Sequence, residues 1–168
     1  MKQIAIVYGS STDNTKNIAN RIAKKLSGEE VTVLDVSTLK AGDLDKYPNL
    51  ILGTSTWGLG DLQDDWDGYL SNLEKSNLSG KVVALFGLGD SGSYPDTFVD
   101  GMGILYEAVK NTGAKTIGEF PTDGYTFDAS KSEDGGKFIG LALDEDNEDD
   151  KTEGRLDEWV ASIRPLFQ

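Results

Sequence analysis

Six consecutive polar residues follow the first apolar run of this 168-residue chain. They are Ser10, Ser11, Thr12, Asp13, Asn14 and Thr15. The run before them, residues 3–8, predicts a buried strand, and apolar residues at helical spacing predict a helix over residues 14–26. A helix N-terminus binds anions without a cation, because its first N–H groups lack partners. This segment therefore predicts either a neutral phosphate site or no more than a polar helix cap.

Two large aromatic residues follow other predicted strands, Trp57 within STWGLGD and Tyr94 within GDSGSYPDTF. Either aromatic alone could be a plug of the core. On neighbouring loops beside an anion site, the pair predicts a ligand that combines a terminal phosphate with a flat heterocycle. The polar segment itself matches neither the dinucleotide fingerprint G-x-G-x-x-G nor the nucleotide-triphosphate loop G-x-x-x-x-G-K-[ST].

The composition excludes several kinds of chemistry. The chain has no cysteine and no histidine, so disulfides, thiolate catalysis and iron–sulfur ligation are excluded and the commonest general base is absent. Any chemistry has to come from a bound cofactor or from carboxylates and hydroxyls, and no metal site is predicted. The net charge of −13 argues against binding to nucleic acid or an anionic membrane, and indicates solubility or attraction to a basic partner.

Strand patterns and helical patterns alternate along the chain. Strands are predicted over residues 3–8, 31–36, 49–54, 81–88 and 115–120, the last continuing over 138–143. Helices are predicted over residues 14–26, 65–73, 95–111 and 152–166. This alternation predicts one α/β domain, residues 1–168, with helices on both faces of a parallel sheet.

Two segments interrupt the pattern. A polar, glycine-containing insertion covers residues 123–137 and splits the last strand region, residues 121–138. The acidic run DEDNEDDK, residues 144–151, is predicted to be a solvated loop. No apolar run reaches 18 residues, and MKQIAIVYGSS lacks the shape of a signal peptide, so we expect a soluble, cytoplasmic protein.

These motifs together resemble those of flavodoxins of the long-chain type, over the whole chain. The phosphate loop of that family has the form [ST]-x-T-G-x-T, and residues 10–15 match it except that Asp13 occupies the glycine position. Trp57 and Tyr94 match the aromatic residues that flank the flavin. Three further segments also resemble long-chain members, namely ALFGLGD, TDGY and GLALDEDN.

The resemblance implies a flavodoxin-like three-layer sandwich with five parallel strands in the order 2-1-3-4-5. It also implies one non-covalently bound FMN and a low-potential electron carrier, not an enzyme, that passes between quinone, semiquinone and hydroquinone. The cofactor-binding residues that it implies are Ser10, Ser11, Thr12, Asp13, Asn14, Thr15, Ser55, Thr56, Trp57, Gly58, Leu59, Gly60, Leu88, Gly89, Asp90, Tyr94, Thr97 and Asp146.

Within this set the resemblance implies a division of roles. Residues 10–15 would hold the phosphate, with Thr56 and Asp146 near the phosphate and the ribityl chain. Trp57 and Tyr94 would cover the two faces of the ring. The backbone of residues 55–60 and 88–90 would hydrogen-bond its polar edge.

Aspartates are concentrated near the two aromatic loops. They are Asp61, Asp64, Asp65, Asp67, Asp90, Asp96 and Asp100. Their charges would oppose an anionic hydroquinone and steer a partner with a basic surface. The resemblance implies a ferredoxin/flavodoxin–NADP reductase, a pyruvate oxidoreductase or a nitrogenase-type acceptor as such a partner. We expect a monomer.

Three other functions fit parts of the pattern. A flavodoxin-like NAD(P)H-dependent quinone or flavin reductase needs a substrate pocket over the flavin, which stacking on both ring faces would fill. A response-regulator receiver needs an aspartate at the end of its third strand, where this chain has GTSTW. An interaction module that has lost FMN is the third alternative.

The resemblance generates a first test, at Gly58. In the family, the backbone carbonyl at this position turns toward the flavin N5–H and favours the neutral semiquinone. Glycine adopts the required positive φ at little steric cost, whereas alanine does not. We expect Gly58→Ala to lower the yield of semiquinone in a redox titration, and an unchanged yield would contradict this role.

Overall fold

The fold is built on strands that alternate with helices along the whole chain, and the computed structural model describes residues 1–168. The strands are β1 Gln3–Gly9, β2 Glu30–Asp35, β3 Asn49–Trp57, β4 Asp61–Leu62, β5 Val82–Leu88, β6 Lys115–Ile117, β7 Phe120–Pro121, β8 Glu133–Asp134, β9 Lys137–Phe138 and β10 Leu141–Leu143. The helices are α1 Asn14–Lys25, α2 Asp64–Glu74, α3 Asp100–Val109 and α4 Asp149–Ile163. None of these four helices is long and apolar enough to cross a membrane.

The central sheet has the order β10-β5-β3-β1-β2, and all of these pairings are parallel. β6 also pairs in parallel with β5, so β6 and β10 together form the edge strand. This confirms the predicted order 2-1-3-4-5 with a divided fifth strand. The chain moves outward from β1 to β2 and then returns past β1 to β3, so the strand order reverses between β1 and β3.

Helices cover both faces of the sheet. On one face α1 and α4 bury an apolar cluster that includes Ile18, Ile22 and Trp159. On the other face α2 and α3 bury a second cluster around Trp66 and Met102. The inner strands face a helix layer on each side, which explains their continuous apolar sequences.

The prediction of a helix over residues 95–111 was wrong at its start, because α3 begins only at Asp100. Val99 precedes it with φ +49°, and a β-branched residue in this left-handed region is strained by about 1–3 kcal/mol. The Ser132 hydroxyl donates to the Val99 carbonyl at 2.7 Å and the Ser130 hydroxyl donates to the Phe98 carbonyl. The Phe98 carbonyl is therefore bound to another segment, and the Val99 carbonyl is shared between Ser132 and the Met102 N–H of the first helical turn.

The insertion was predicted to be polar, but it carries its own apolar contacts. Its strands form a small antiparallel sheet in the order β7-β9-β8. The rings of Tyr125 and Phe127 lie 4.9 and 5.2 Å from the ring of Phe138. The guanidinium of Arg155 stacks 3.7 Å above the Tyr125 ring. Aromatic packing thus fastens the insertion to the core and to α4.

The acidic run at residues 144–151 is not a solvated loop throughout. Asp144 is completely buried and accepts hydrogen bonds from the Ser91 N–H at 3.1 Å and the Asn147 N–H at 3.0 Å. The run then enters α4 at Asp149, three residues before the predicted start, with acidic side chains in the first turn, where the helix dipole favours them.

Candidate functional site

A cleft of about 300 Å³ lies at the carboxyl ends of β1, β3, β5 and β10. Strand order reverses between β1 and β3, and in open α/β sheets this is where ligands bind. The residues that line the cleft are Thr12, Asn14, Ser55, Thr56, Trp57, Gly58, Leu88, Gly89, Asp90, Tyr94, Glu145 and Asp146. No lysine or arginine is among them.

The end of the cleft beside α1 is suited to an anion. Asp13 is the N-cap residue of α1, and its side chain makes no capping hydrogen bond. The backbone N–H groups of Asn14 and Thr15 have no acceptor within the protein, whereas the N–H of Lys16 donates to Ser10 Oγ at 3.4 Å. The start of this 12-residue helix therefore offers free donors and the positive end of the helix dipole.

Asp13 itself has φ +67°, in the left-handed region. Glycine, the residue that the family has at this position, adopts positive φ at little steric cost. Aspartate is one of the few residues with a β-carbon that visits this region at modest cost. The carboxylate is exposed, and it makes no hydrogen bond that would hold it over the helix start.

The first aromatic loop is a tight hairpin. β3 continues beyond the predicted end at residue 54 and pairs in antiparallel fashion with β4, with Trp57 opposite Asp61. The turn between them has φ +51° at Gly58 and +95° at Gly60, values that suit glycine. The Trp57 indole N–H donates to Ser55 Oγ at 2.8 Å, which restrains the ring beside the cleft.

The second aromatic loop folds around Asp90. The Tyr94 N–H donates to the Asp90 carbonyl at 2.8 Å, and the Ser93 N–H donates to the Asp90 carboxylate at 2.9 Å. Partial burial would raise the pKa of Asp90, but hydrogen bonds from Ser93 and the Asn147 amide outweigh burial and lower it. Tyr94 and Trp57 are each 41% exposed and line the cleft, so both side chains are available to a ligand.

Carboxylates form one side of the cleft. Oxygens of Asp90, Asp144 and Asp146 lie within 4.8 Å of one another, and the Asn147 amide donates to Asp90 at 2.8 Å and to Asp144 at 3.0 Å. Partial burial, with the charges of Asp90 and Asp144, raises the pKa of Asp146. A further negative charge at this edge of the cleft would therefore be repelled.

The structure brings most of the predicted site residues to the cleft. Those that do not line it are Ser10, Ser11, Asp13, Thr15, Leu59, Gly60 and Thr97. Thr97 lies behind the hairpin, since a β-carbon on Gly60 would be 3.3 Å from the Thr97 β-carbon. Leu59 points away and is 83% exposed.

Three residues near the site were missed, namely Gln63, Glu145 and Asn147. Glu145 lines the cleft, Asn147 links its carboxylates, and buried Gln63 donates to Ser11 Oγ. Glu145 and Asn147 flank Asp146 in the run that was interpreted as a loop. The position of Gln63 just before a predicted helix could have indicated only a cap.

Asp100, one of the aspartates predicted near the two aromatic loops, does not lie at the surface. It is buried, and its carboxylate accepts the Lys131 N–H at 2.8 Å. Burial raises the pKa of Asp100 even though this hydrogen bond favours the charged form. Its carboxylate packs against Gly60, where an added β-carbon would lie 2.8 Å from Oδ2.

Comparison with known proteins gives one consistent family. A sequence model of the flavodoxin family matches residues 6–159. A flavodoxin from Synechocystis sp. is 46% identical over 169 aligned residues, which cover 100% of this chain and 99% of the relative. Flavodoxin 1 from Azotobacter vinelandii is 42% identical, with 99% and 98% covered.

Solved structures agree with the sequence comparison. The crystal structure of a Fusobacterium nucleatum flavodoxin bound to flavin mononucleotide superposes with a TM-score of 0.95 at 34% identity. The superposition covers 100% of both chains.

The backbone of Asp13 provides a stability test. Asp13→Ala should lower the free energy of unfolding by about 1 kcal/mol, because alanine is less tolerant of positive φ, while Asp13→Asn should be nearly neutral. Urea unfolding measures both, and Asp96→Ala is the control, since Asp96 is also exposed but has a negative φ. Equal stability of the alanine and asparagine variants would contradict the assignment of strain.

Proposed function

This chain belongs to the flavodoxin family, and we propose that it carries electrons between redox proteins on a non-covalently bound FMN. In this proposal residues 1–168 act as one FMN-binding domain. The observation that carries the proposal is that a helix start with free N–H donors and two exposed aromatic side chains meet in one cleft. Its volume of about 300 Å³ is at the lower end of those of typical ligand pockets.

The residues present fit FMN at each of its parts. A phosphate would be held by the start of α1, through the free N–H groups of Asn14 and Thr15 and the hydroxyl of Thr12. Trp57 and Tyr94 would orient the ring and exclude water from its faces. Backbone groups at residues 55–58 and 88–90 would bind its polar edge. When bound, the flavin supplies the redox chemistry, which the chain's own side chains lack.

The acidic edge of the cleft is expected to lower the reduction potential of the bound flavin. Asp90, Glu145 and Asp146 line the cleft without a lining cation, within a chain of net charge −13. Arg21 is the basic residue that reaches this edge, with its guanidinium 3.7 Å from the Glu145 carboxylate. Each electron added to the cleft meets the repulsion of these charges, so the protein is expected to operate at low potential.

An electron carrier fits the cleft better than a reductase. Rings that flank both sides of a bound heterocycle leave little room for a second substrate, such as a nicotinamide or a quinone. The exposed surface around the cleft instead includes Leu59, Trp57 and Tyr94. Such a surface suits brief contact with another protein.

We further propose partners with basic surfaces, including an NADP reductase, a pyruvate oxidoreductase or a nitrogenase-type acceptor. Complementary charge increases the rate of encounter more than the affinity. The same negative charge opposes self-association, which supports a monomer. A cytoplasmic location stays a prediction from the sequence.

The absorbance spectrum of the purified protein tests the function directly. We expect flavin absorbance, either as purified or after FMN is added and the excess removed. Stopped-flow mixing with NADPH alone should leave that absorbance unchanged on the timescale of turnover. Failure to retain FMN would refute the proposal, and rapid bleaching by NADPH would favour the reductase.

Removal of one carboxylate should shift the reduction potential of the bound flavin. Asp146→Asn should raise the midpoint potential of the second one-electron reduction by roughly 20–80 mV, because one repulsive charge leaves the cleft. A spectroelectrochemical titration measures this shift. Asp45→Asn is the control, since Asp45 precedes β3 at the opposite end of the sheet. Equal shifts in the two variants would show a general charge effect only.

Salt dependence tests the proposed partners. The second-order rate of electron transfer to a basic reductase should fall about tenfold or more between roughly 10 and 300 mM salt, as screening removes the attraction. Stopped-flow mixing at several ionic strengths gives this rate. A rate that does not depend on salt would argue against electrostatic steering.

A further inference from the structure

Gln63 is a buried polar residue between the two halves of the site. It is the N-cap residue of α2 and only 1% exposed, and it follows the hairpin that carries Trp57. It does not line the cleft, yet its side chain extends to Ser11 in the loop before α1. A buried side-chain amide is stable only when its polar atoms have hydrogen-bond partners.

The partners of Gln63 leave only one orientation for its amide. Its Oε1 accepts the Trp66 N–H at 3.2 Å, while its Nε2 donates to Asp65 Oδ2 at 2.9 Å and to Ser11 Oγ at 3.2 Å. A carboxylate accepts only and a backbone N–H donates only, so exchange of the amide oxygen and nitrogen would break two of these bonds. Ser11 Oγ is therefore an acceptor from Gln63.

Close packing restricts the Gln63 side chain on the side of β1. A β-carbon on Gly9 would lie 2.2 Å from Gln63 Oε1 and 2.6 Å from Trp66 Cδ1, so the amide rests against the backbone of Gly9. Trp66 is itself held by its indole N–H, which donates to the Gly53 carbonyl at 2.8 Å. The donor to Ser11 is thus presented from a rigid surface.

We propose that Gln63 is a positioning residue that orients the Ser11 hydroxyl to donate its proton to the phosphate of the bound ligand. A hydroxyl has one proton and two lone pairs. When one lone pair accepts a bond from the Gln63 amide, the proton is available for a second partner, and the acceptor bond strengthens that donation. The inference rests on the proposed function, because the anion is taken to be the phosphate of FMN.

In this arrangement the acidic Asp65 supports the anion site indirectly, through its hydrogen bond with Gln63. Its carboxylate is one amide away from Ser11, and it fixes the direction in which Nε2 donates. Gln63 Nε2 donates one hydrogen bond to Asp65 and one to Ser11, so the Ser11 proton stays available for an acceptor near the start of α1. The neighbouring Ser10 Oγ accepts the Lys16 N–H at 3.4 Å, which leaves a second hydroxyl proton free. The site then favours a ligand group that only accepts hydrogen bonds, such as a fully ionised phosphate monoester.

Comparison of FMN with riboflavin, which lacks the phosphate, isolates this role. Gln63→Thr keeps a side chain that caps a helix but is too short to reach Ser11. We expect the variant to bind FMN about tenfold more weakly and riboflavin unchanged, because one charge-assisted hydrogen bond is weakened. Ser11→Ala should produce the same selective loss. Adding Gln63→Thr to Ser11→Ala should cause no further loss, since Gln63 acts through that hydroxyl.

Controls separate this effect from a general loss of stability. Gln63→Glu keeps the acceptor for the Trp66 N–H but removes the donor, and should show the same selective loss for FMN. Asn49→Thr removes a buried amide that binds the Gln3 and Gln168 carbonyls, remote from the cleft, and should leave the ratio of the two affinities unchanged. Urea unfolding of each apoprotein gives its stability independently.

The possible results separate failure of the positioning role from failure of the proposed function. Equal weakening of FMN and riboflavin by Gln63→Thr, or additive losses in the double variant, would overturn the positioning role while the proposed function stands. If the wild-type protein binds FMN no better than riboflavin, the proposed phosphate site is refuted. A wild-type protein that binds neither flavin would overturn the proposed function and this inference together.

Discussion

Parallel pairing of β1, β3 and β5 is the constraint on which the site depends. These strands are buried almost completely, because helices cover both faces of the sheet. Their registers place Gly9 beside Thr54 and Ser55 beside Leu88, so the chain leaves every strand at the same edge. Three short loops, distant in sequence, are thereby brought within the reach of one ligand.

The cleft offers hydrogen-bond donors to a phosphate without a lysine or arginine. A chain of net charge −13 would be expected to repel a phosphate, and carboxylates line one side of the cleft. The start of α1 instead offers unpaired N–H groups and a helix dipole, while the Asp13 carboxylate is exposed and takes no part in capping. In the proposed function, the acidic edge opposes added electrons and attracts a partner with a basic surface.

The insertion is connected to the site through the start of α3. The Lys131 N–H binds the Asp100 carboxylate, and the Gly101 N–H donates to the Thr56 hydroxyl at 2.9 Å. The strained Val99 immediately precedes Asp100, and its carbonyl accepts a hydrogen bond from the Ser132 hydroxyl. Hydrogen bonds and aromatic packing from the insertion hold a conformation that local preferences oppose.

The alternation of apolar runs with helical patterns determined the layers, the parallel sheet and the edge at which the polar loops meet, because strand and helix periodicity are local properties. The residue types at 10–15, 57 and 94 likewise determined the chemistry of a phosphate and a flat ring. Tertiary structure decided the start of α3 at Asp100, the burial of Asp144 and the link from Gln63 to Ser11. Each depends on a hydrogen-bond partner distant in sequence, so no local pattern could indicate it.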